Sequence, residues 1–307
     1  MNPAYSVILF TTASGAGYGL LALLGLVGFN HGPVSVFAFG VTAIIIALGL
    51  ITTGLLSSTF HLGHPERAWR ALSQWRSSWL SREGVAAVVT YVPAVLFGAT
   101  WTDIIHAPVL IGPLGVITGI MCVITVFCTA KIYSTLTTIR AWNHPLTAPV
   151  YLAFALATGG ALMTAIATIF GRYQIFQVIL TIAAVILVSA LKYFYWRSID
   201  SAARTHAMAA ATGLGAGVRQ WEVPHTSENF IMKEMGFAVA RKHALRLRNT
   251  VFLLLLITII ALVACQITPW FSLVAAPAIL LAAVLERWLF FAEAQHVVSL
   301  FYGAEKA

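Results

Sequence analysis

Long apolar runs separated by short polar breaks set the plan of this chain. Eight of them reach the roughly 17–25 mostly apolar residues that a membrane-spanning helix needs. They cover residues 4–29, 34–60, 85–102, 109–133, 147–170, 175–196, 251–267 and 272–291, the seventh being the shortest. Tight links such as Asn30-His31-Gly32-Pro33 and Gly171-Arg172-Tyr173-Gln174 make the helices they join antiparallel hairpins. Between the second and third runs the pattern changes to an amphipathic one over residues 65–80. On a helical wheel Arg67, Arg70, Gln74, Ser77, Ser78 and Ser81 share one side, while Trp69, Leu72, Trp75, Trp79 and Leu80 share the other. That predicts a helix lying in the membrane interface. Pro65 suits its first turn and pushes His64 out of helical geometry, so the second spanning helix should end at residues 61–63. Arg76 projects from the apolar side and must snorkel, pair with a carboxylate or meet a polar ligand.

The long connection, residues 197–249, changes character twice. A small-residue stretch from Ala209 to Gly217 gives way to a charged, helix-like segment through Glu228, Lys233, Glu234, Arg241, Lys242, Arg246 and Arg248. A connection of this length is either disordered or occupied. It can rest on anionic lipid as a basic linker, or dock a soluble partner, for which Trp221, Phe230, Met232, Met235 and Phe237 supply apolar contacts that a solvated linker does not need. The organisation is then six spanning helices with the interfacial helix (1–196), a basic loop (197–249), and two further spans with a tail (250–307). Arg70, Arg82, Arg140, Trp221, Phe230 and Lys233 are the candidate docking residues.

Composition excludes a soluble globule. With 60% apolar residues, 9% charged residues and a mean hydropathy of +0.88 there is too little polar surface to cover one. The expected class is an all-α integral membrane bundle of eight helices. The amino terminus carries no Lys or Arg and leads into a run too long for a signal-peptide core, so it reads as a retained first span. The net charge of +8 would suggest nucleic acid in a soluble protein, but here it reports topology. Seventeen of the eighteen Lys and Arg fall on one side of the predicted membrane and only Arg172 on the other. The basic side is expected to be cytoplasmic, with both termini there, in a cell inner membrane. Cys122, Cys128 and Cys265 lie in apolar runs without a close pair and read as packing residues. Gly15 and Gly19, a GxxxG on the first run, and Gly159-Gly160 on the fifth mark close helix packing.

The candidate chemistry lies at the basic rim. His61 ends the second span and Glu83 starts the third, which places both at one depth on one side. A histidine and a carboxylate there can relay protons, or simply cap their helices. Gly63, His64, Arg67 and Arg76 lie in the same patch, with tryptophans as a flat apolar wall. A quinone head needs such a pocket, with donors for two carbonyl oxygens, aromatic or aliphatic faces for the ring, and an opening to lipid. Lys131 and Tyr133 near the end of the fourth span, and Arg140, Trp142 and His144 just after it, lie on the same side. Glu286 and Arg287 sit inside the eighth span, where charge is costly and usually faces a bundle interior. They either neutralise each other, pair with a neighbouring helix, or line a site. A bis-histidine haem site needs facing histidines inside spans, and the nine histidines are mostly at helix ends or in the long loop, so haem is not expected. Without clustered cysteines or metal-ligand spacing, neither an iron–sulfur cluster nor another metal site is expected in this chain.

The run His61-Leu62-Gly63-His64-Pro65-Glu66-Arg67-Ala68, followed by Leu80-Ser81-Arg82-Glu83, resembles the signature of the haem-free membrane-anchor subunits of dimethyl sulfoxide reductase-type molybdoenzymes. Lys131-Ile132-Tyr133 is similar to the basic-x-Tyr ending of the fourth helix in that family, with Trp142 in the loop that follows. Arg287-Trp288-Leu289-Phe290-Phe291 is similar to its Arg-x-x-Phe-Tyr, departing at Phe291. The resemblance implies an anchor for an iron–sulfur subunit and a molybdopterin catalytic subunit, exchanging electrons with ubiquinone or menaquinone. It carries the family's quinone-site histidine and glutamate onto His61 and Glu83. Gly63, His64, Arg67, Arg76, Lys131, Tyr133 and Arg287 are the further candidates for the pocket, from their place on the same side. His64 stands where a small polar residue is common. Within the family, Pro3-Ala4-Tyr5-Ser6, the His64-Pro65-Glu66-Arg67 variant and the basic sixth loop are most similar to anchors of cytoplasmic sulfite-oxidising complexes. The alternatives are a reductase anchor drawing electrons from quinol, a transporter, which would show broken helices and mid-membrane polar groups, and a purely structural tether.

Overall fold

A computed structural model describes residues 4–28, 37–60, 62, 64–201, 212–213, 221–222 and 239–302. His31, His61, Gly63, Phe230 and Lys233 lie outside the described residues. Among those described there is no strand, and eight helices are long and apolar enough to cross a membrane: Tyr5–Val27, Phe37–Thr59, Trp79–Trp101, Pro108–Ser134, Thr147–Ile169, Ile175–Ser201, His243–Ala264 and Pro269–Ala292. They are counted below from first to eighth.

Two boundaries depart from the sequence pattern in ways that matter. The third helix begins at Trp79, where Ser78 is its N-cap and accepts from the Ser81 amide. Residue 83 therefore sits inside the first turns of a spanning helix rather than at its start, and its carboxylate does not serve as an N-terminal cap. The seventh helix begins at Val239, twelve residues before its apolar run, because the basic segment before residue 251 is itself helical. The interfacial segment also departs from expectation. Residues Pro65–Gln74 form a 3-10 helix with Pro65 in its first turn, and 75–77 are a turn. At three residues per turn the faces realign: Glu66, Trp69 and Leu72 share one edge, Arg67, Arg70 and Ser73 another. Trp69 and Trp75 remain largely exposed, as residues that meet a lipid interface should be.

The first and fifth helices are the most buried and form the centre. They cross at glycines: a Cβ on Gly19 would fall on the Ala155 carbonyl, and one on Gly159 on the Gly19 backbone. Further along, Gly25 of the first helix meets Gly115 of the fourth backbone to backbone. Such approaches replace the missing hydrophobic drive between helices in lipid with van der Waals contact. Gly15, the other half of the GxxxG, meets no neighbour and instead borders an internal cavity. We expect Gly159→Val to abolish accumulation of the folded chain and Gly15→Ala to be tolerated, since overpacking against backbone costs about 1–3 kcal/mol or more. Membrane-fraction levels of the two variants check this.

Helix ends are closed economically. Gly171, at φ 64°, makes a left-handed cap in which Arg172 N–H donates to Ala167 O (2.6 Å) and Gly171 N–H to Thr168 O (3.1 Å). This Schellman arrangement turns the chain into the sixth helix within a few residues. The tight fifth-to-sixth hairpin is thus built on one residue without a Cβ.

Candidate functional site

Trp79 and Glu83 lie one turn apart on the third helix and so on one face. Glu83 is 5% exposed, and its Oε1 accepts from the hydroxyl of Thr129 on the fourth helix. Thr129 Oγ1 is also 3.1 Å from the Thr125 carbonyl. A hydroxyl has one hydrogen, so two states follow. An ionised Glu83 takes the Thr129 hydrogen, whereas a protonated Glu83 donates to Thr129, which then donates to Thr125. The contact can pass a proton in or out without moving either helix.

Outward of Glu83 the site opens to the rim. Trp79 is flanked by the Arg82 guanidinium (4.3 Å from the ring centroid) and the Lys131 ammonium (5.5 Å), with Phe127 edge-on at 6.1 Å. Arg82 also donates to the carbonyls of Trp75 (3.0 Å) and Arg76 (2.6 Å), pinning the turn that leads into the third helix. Leu72 covers Gly84, where a Cβ would come within 2.9 Å of it. Tyr18 on the first helix lies within electrostatic reach of Glu83, and its hydroxyl is buried without a hydrogen-bond partner, as is that of Ser81 half a turn nearer the rim on the third helix.

The remaining predicted residues separate. His64, Glu66 and Arg67 form an exposed surface cluster, with Nδ1 3.0 Å and Nε 3.7 Å from Glu66 Oε1. Arg76 snorkels in the turn, its guanidinium 5.5 Å from its neighbour Trp75. Arg70 is exposed beside Trp69, Arg140 is half-buried, and Trp221 is 90% exposed. Tyr133 is enclosed by the rings of Trp142, Tyr151, Phe290 and Phe291, at centroid distances of 5.3, 5.9, 5.6 and 5.3 Å. Trp142 Nε1 donates to the Phe290 carbonyl (2.8 Å), fastening the loop after the fourth helix to the eighth.

Arg287 belongs to a second, deeper constellation. Its guanidinium stacks 3.4 Å from the Tyr151 ring centroid and reaches Glu286 (3.0 Å), whose other oxygen is 2.7 Å from Lys192 Nζ on the sixth helix. The three side chains are 0–3% exposed. Glu286 and Arg287 thus both neutralise each other and pair with a neighbouring helix. In the sequence Lys192 stands out only as a topological charge, although a lysine inside a predicted span is itself a signal. Thr129, Tyr151 and Tyr18 give no comparable signal, because each looks like any polar residue in an apolar run. Between the two constellations lies a cavity lined by Thr11, Thr12, Thr129, Tyr151, Thr158 and Arg287 among others, with about 20 Å³ open to the centre of a water-sized sphere. Its first-helix wall is a π-helical turn, Phe10–Ser14, whose hydroxyls bond back to their own helix. Such turns are frequent at functional sites. The eighth helix therefore meets the first and fifth around this cavity, instead of closing a rim pocket with the second and third.

At the rim beyond the sixth helix, Arg248 clamps Glu293 with two hydrogen bonds (2.9 and 3.0 Å) and Asp200 with a third (2.7 Å), tying three helices together. In the loop after the fourth helix, His144 Nδ1 accepts from the Leu146 amide (3.1 Å) and Nε2 meets Ser198 Oγ (3.1 Å), which fixes a neutral ring. Burial, then Lys192 and Arg140, hold its pKa below the ordinary histidine value. A lowered folded pKa gives stability that is complete above the unfolded value and lost as pH falls below it. Protection of the Leu146 amide from hydrogen exchange should therefore decline below about pH 6.5, and His144→Asn should remove that dependence.

A family model described as "DMSO reductase anchor subunit (DmsC)" matches residues 1–304. A sulfite dehydrogenase subunit of Allochromatium vinosum is 32% identical over a 334-residue alignment covering 98% of this chain and 99% of that protein. Both matches run through all eight helices. The chain belongs to the DMSO reductase anchor-subunit family: it is a multi-pass membrane anchor of a DMSO reductase-type complex.

Proposed function

We propose that this anchor is also the quinone-reactive subunit of its complex, passing electrons from sulfite oxidised in a molybdopterin partner, through an iron–sulfur partner, to the quinone pool. The observation that carries the reading is Glu83. It is a buried carboxyl one turn inside the basic rim, with a hydroxyl switch on one side and a cation-flanked tryptophan on the other. The relationship to a sulfite dehydrogenase subunit supports the substrate and direction.

The residues fit a quinone head. Glu83 and His61 are the proton donors for its oxygens, Trp79 offers a flat face, and the partnerless hydroxyl of Tyr18 leaves polar capacity near Glu83. A quinone bound here supplies the two-electron, two-proton acceptor. The chain supplies position and protons. Thr129 holds the carboxyl oriented, and the third and fourth helices exclude bulk water from it. Protons then enter from the basic side, which the charge bias makes cytoplasmic, and the cycle moves no net charge across the membrane. The basic rim and the 197–249 loop are the docking face for the partner subunits.

The test is purification of the tagged chain in mild detergent with its co-purifying subunits, followed by metal analysis and assay of sulfite-dependent quinone reduction. Molybdenum, iron and that activity together are the expected result. A metal-free chain with no partner in a cross-linking experiment would overturn the reading.

A further inference from the structure

The deep charges do not balance among themselves. Lys192 and Arg287 contribute two positive charges and Glu286 one negative, leaving +1 in a site closed to solvent. Burying a net charge is costly unless something opposite lies near. Glu293 at the end of the eighth helix also acts on Lys192, but it is partly exposed and already clamped by Arg248. The other fully buried acid among the described residues is Glu83, whose partner Thr129 lines the same small cavity as Arg287. Tyr133 and Tyr151 lie within electrostatic reach of both Glu83 and Arg287.

We infer that the Lys192–Glu286–Arg287 triad is the counter-charge of the Glu83 carboxylate, and that one water molecule in the cavity links the two. The inference rests on the proposed role of Glu83 in quinone reduction and names the residues that set its charge state. With Glu83 ionised the buried set is neutral. Each proton it takes up leaves the set at +1, which favours passing that proton on. In the balanced step, the O–H bond of Glu83 breaks as an O–H bond forms on one quinone oxygen, and the second oxygen takes its proton from His61. The two electrons come from the iron–sulfur partner. Lys192, Glu286 and Arg287 are positioning residues: they act through Glu83.

The groups facing Glu83 leave the triad as its buried counter-charge. From the first helix comes Tyr18, from the fourth Cys128 and Tyr133, and from the fifth Tyr151, which are neutral at physiological pH. Two further cations, Arg82 on its own helix and Lys131 on the fourth, are half-exposed at the rim around Trp79, where solvent screens them. The cavity suits one water. Its size exceeds the minimum for one, and the wall includes hydroxyls, a guanidinium and Tyr151, whose own hydroxyl is buried without a partner.

The experiment uses the whole complex and reads the pH profile of quinone reduction relative to the dye-linked substrate rate. Lys192→Met takes the triad to zero, so Glu83 keeps its proton to higher pH and the alkaline limb moves up by about half a unit to one unit. Glu286→Gln takes it to +2 and moves the limb down by a similar amount. The double variant returns to +1 and restores the wild-type limb, so comparing it with Lys192→Met carries the test even where Glu286→Gln alone does not accumulate. A scaffold role would lower rates without shifts of opposite sign. Shifts that are absent or of one sign, in a background where Glu83→Gln abolishes quinone reduction, overturn the inference and leave the proposed function standing. Full quinone reduction by Glu83→Gln would instead remove the proposed function itself. Independently of activity, a cryo-EM map that resolves waters should show one within hydrogen-bond distance of the Tyr151 hydroxyl, and a dry cavity overturns the link.

Discussion

Replacing Glu83 by Gln in the assembled complex should cut quinone-coupled turnover at least a hundredfold, on the order of what a positioned acid contributes, while dye-linked oxidation of the substrate continues unchanged. Gln fills the same space and can accept from Thr129 in the same geometry, so the third and fourth helices should remain packed. What it cannot do is release a proton and take another. Because the substrate half-reaction takes place in another subunit, a dye that accepts electrons upstream of the quinone bypasses the defect. His61→Ala should give the same split. A parallel fall in both rates, with loss of the partner subunits on purification, would make these residues structural. Thr129→Ser, which keeps the hydroxyl, should retain most of the quinone rate, and Thr129→Val should lose about tenfold.

The second large effect concerns stability. Glu286→Ala should destabilise the chain by about 3–5 kcal/mol, because it leaves two cations buried without an acid. Lys192→Met should cost less, since Glu286 keeps Arg287 at 3.0 Å. The double change should recover only part of the loss, because it removes one of the two stranded cations and still leaves Arg287 buried without its acid. Cys122, Cys128 and Cys265 are all buried thiols and report unfolding directly through reaction with a thiol dye on heating. If the Glu286→Ala midpoint matched that of wild type, the triad would not be holding the sixth and eighth helices together. The opposite ranking, with Lys192→Met the weaker variant, would place the dependence on Lys192 and its stacking between Tyr195 (4.0 Å) and Trp196 (4.2 Å).

Glu83 and Glu286 thus act in different ways. On these predictions Glu83 would control a rate through a single proton, whereas Glu286 would control whether neighbouring helices can share buried charge. Their partners Thr129 and Arg287 line one cavity, and the proposed link across it would give a physical reason for a bundle in lipid to hold these four charged side chains in its interior, where each would otherwise be a cost.

The sequence by itself determined the eight helices and the hairpins at its short links, because a membrane span must satisfy its backbone internally and therefore announces itself as an uninterrupted apolar run. It also determined the basic side, and it singled out Glu83 as a candidate through its place opposite His61 across the interfacial segment. Its reach ended wherever meaning depended on which faces meet. Glu83 looks like the start of a helix in the sequence, and only the cap at Ser78 moves it inside one. Arg287 looks like a rim residue of a pocket shared with His64 and Arg67. The crossing of the first and fifth helices at Gly19 and Gly159 instead places it behind the Glu83 site, while His64 and Arg67 stay on the surface. Lys192 and Thr129 become functional candidates only through partners far away in the chain, Glu286 and Glu83. Runs of apolar residues record that a helix crosses the membrane. The rotation of that helix about its own axis is set by contacts with its neighbours, and that rotation decides which few polar groups share a cavity.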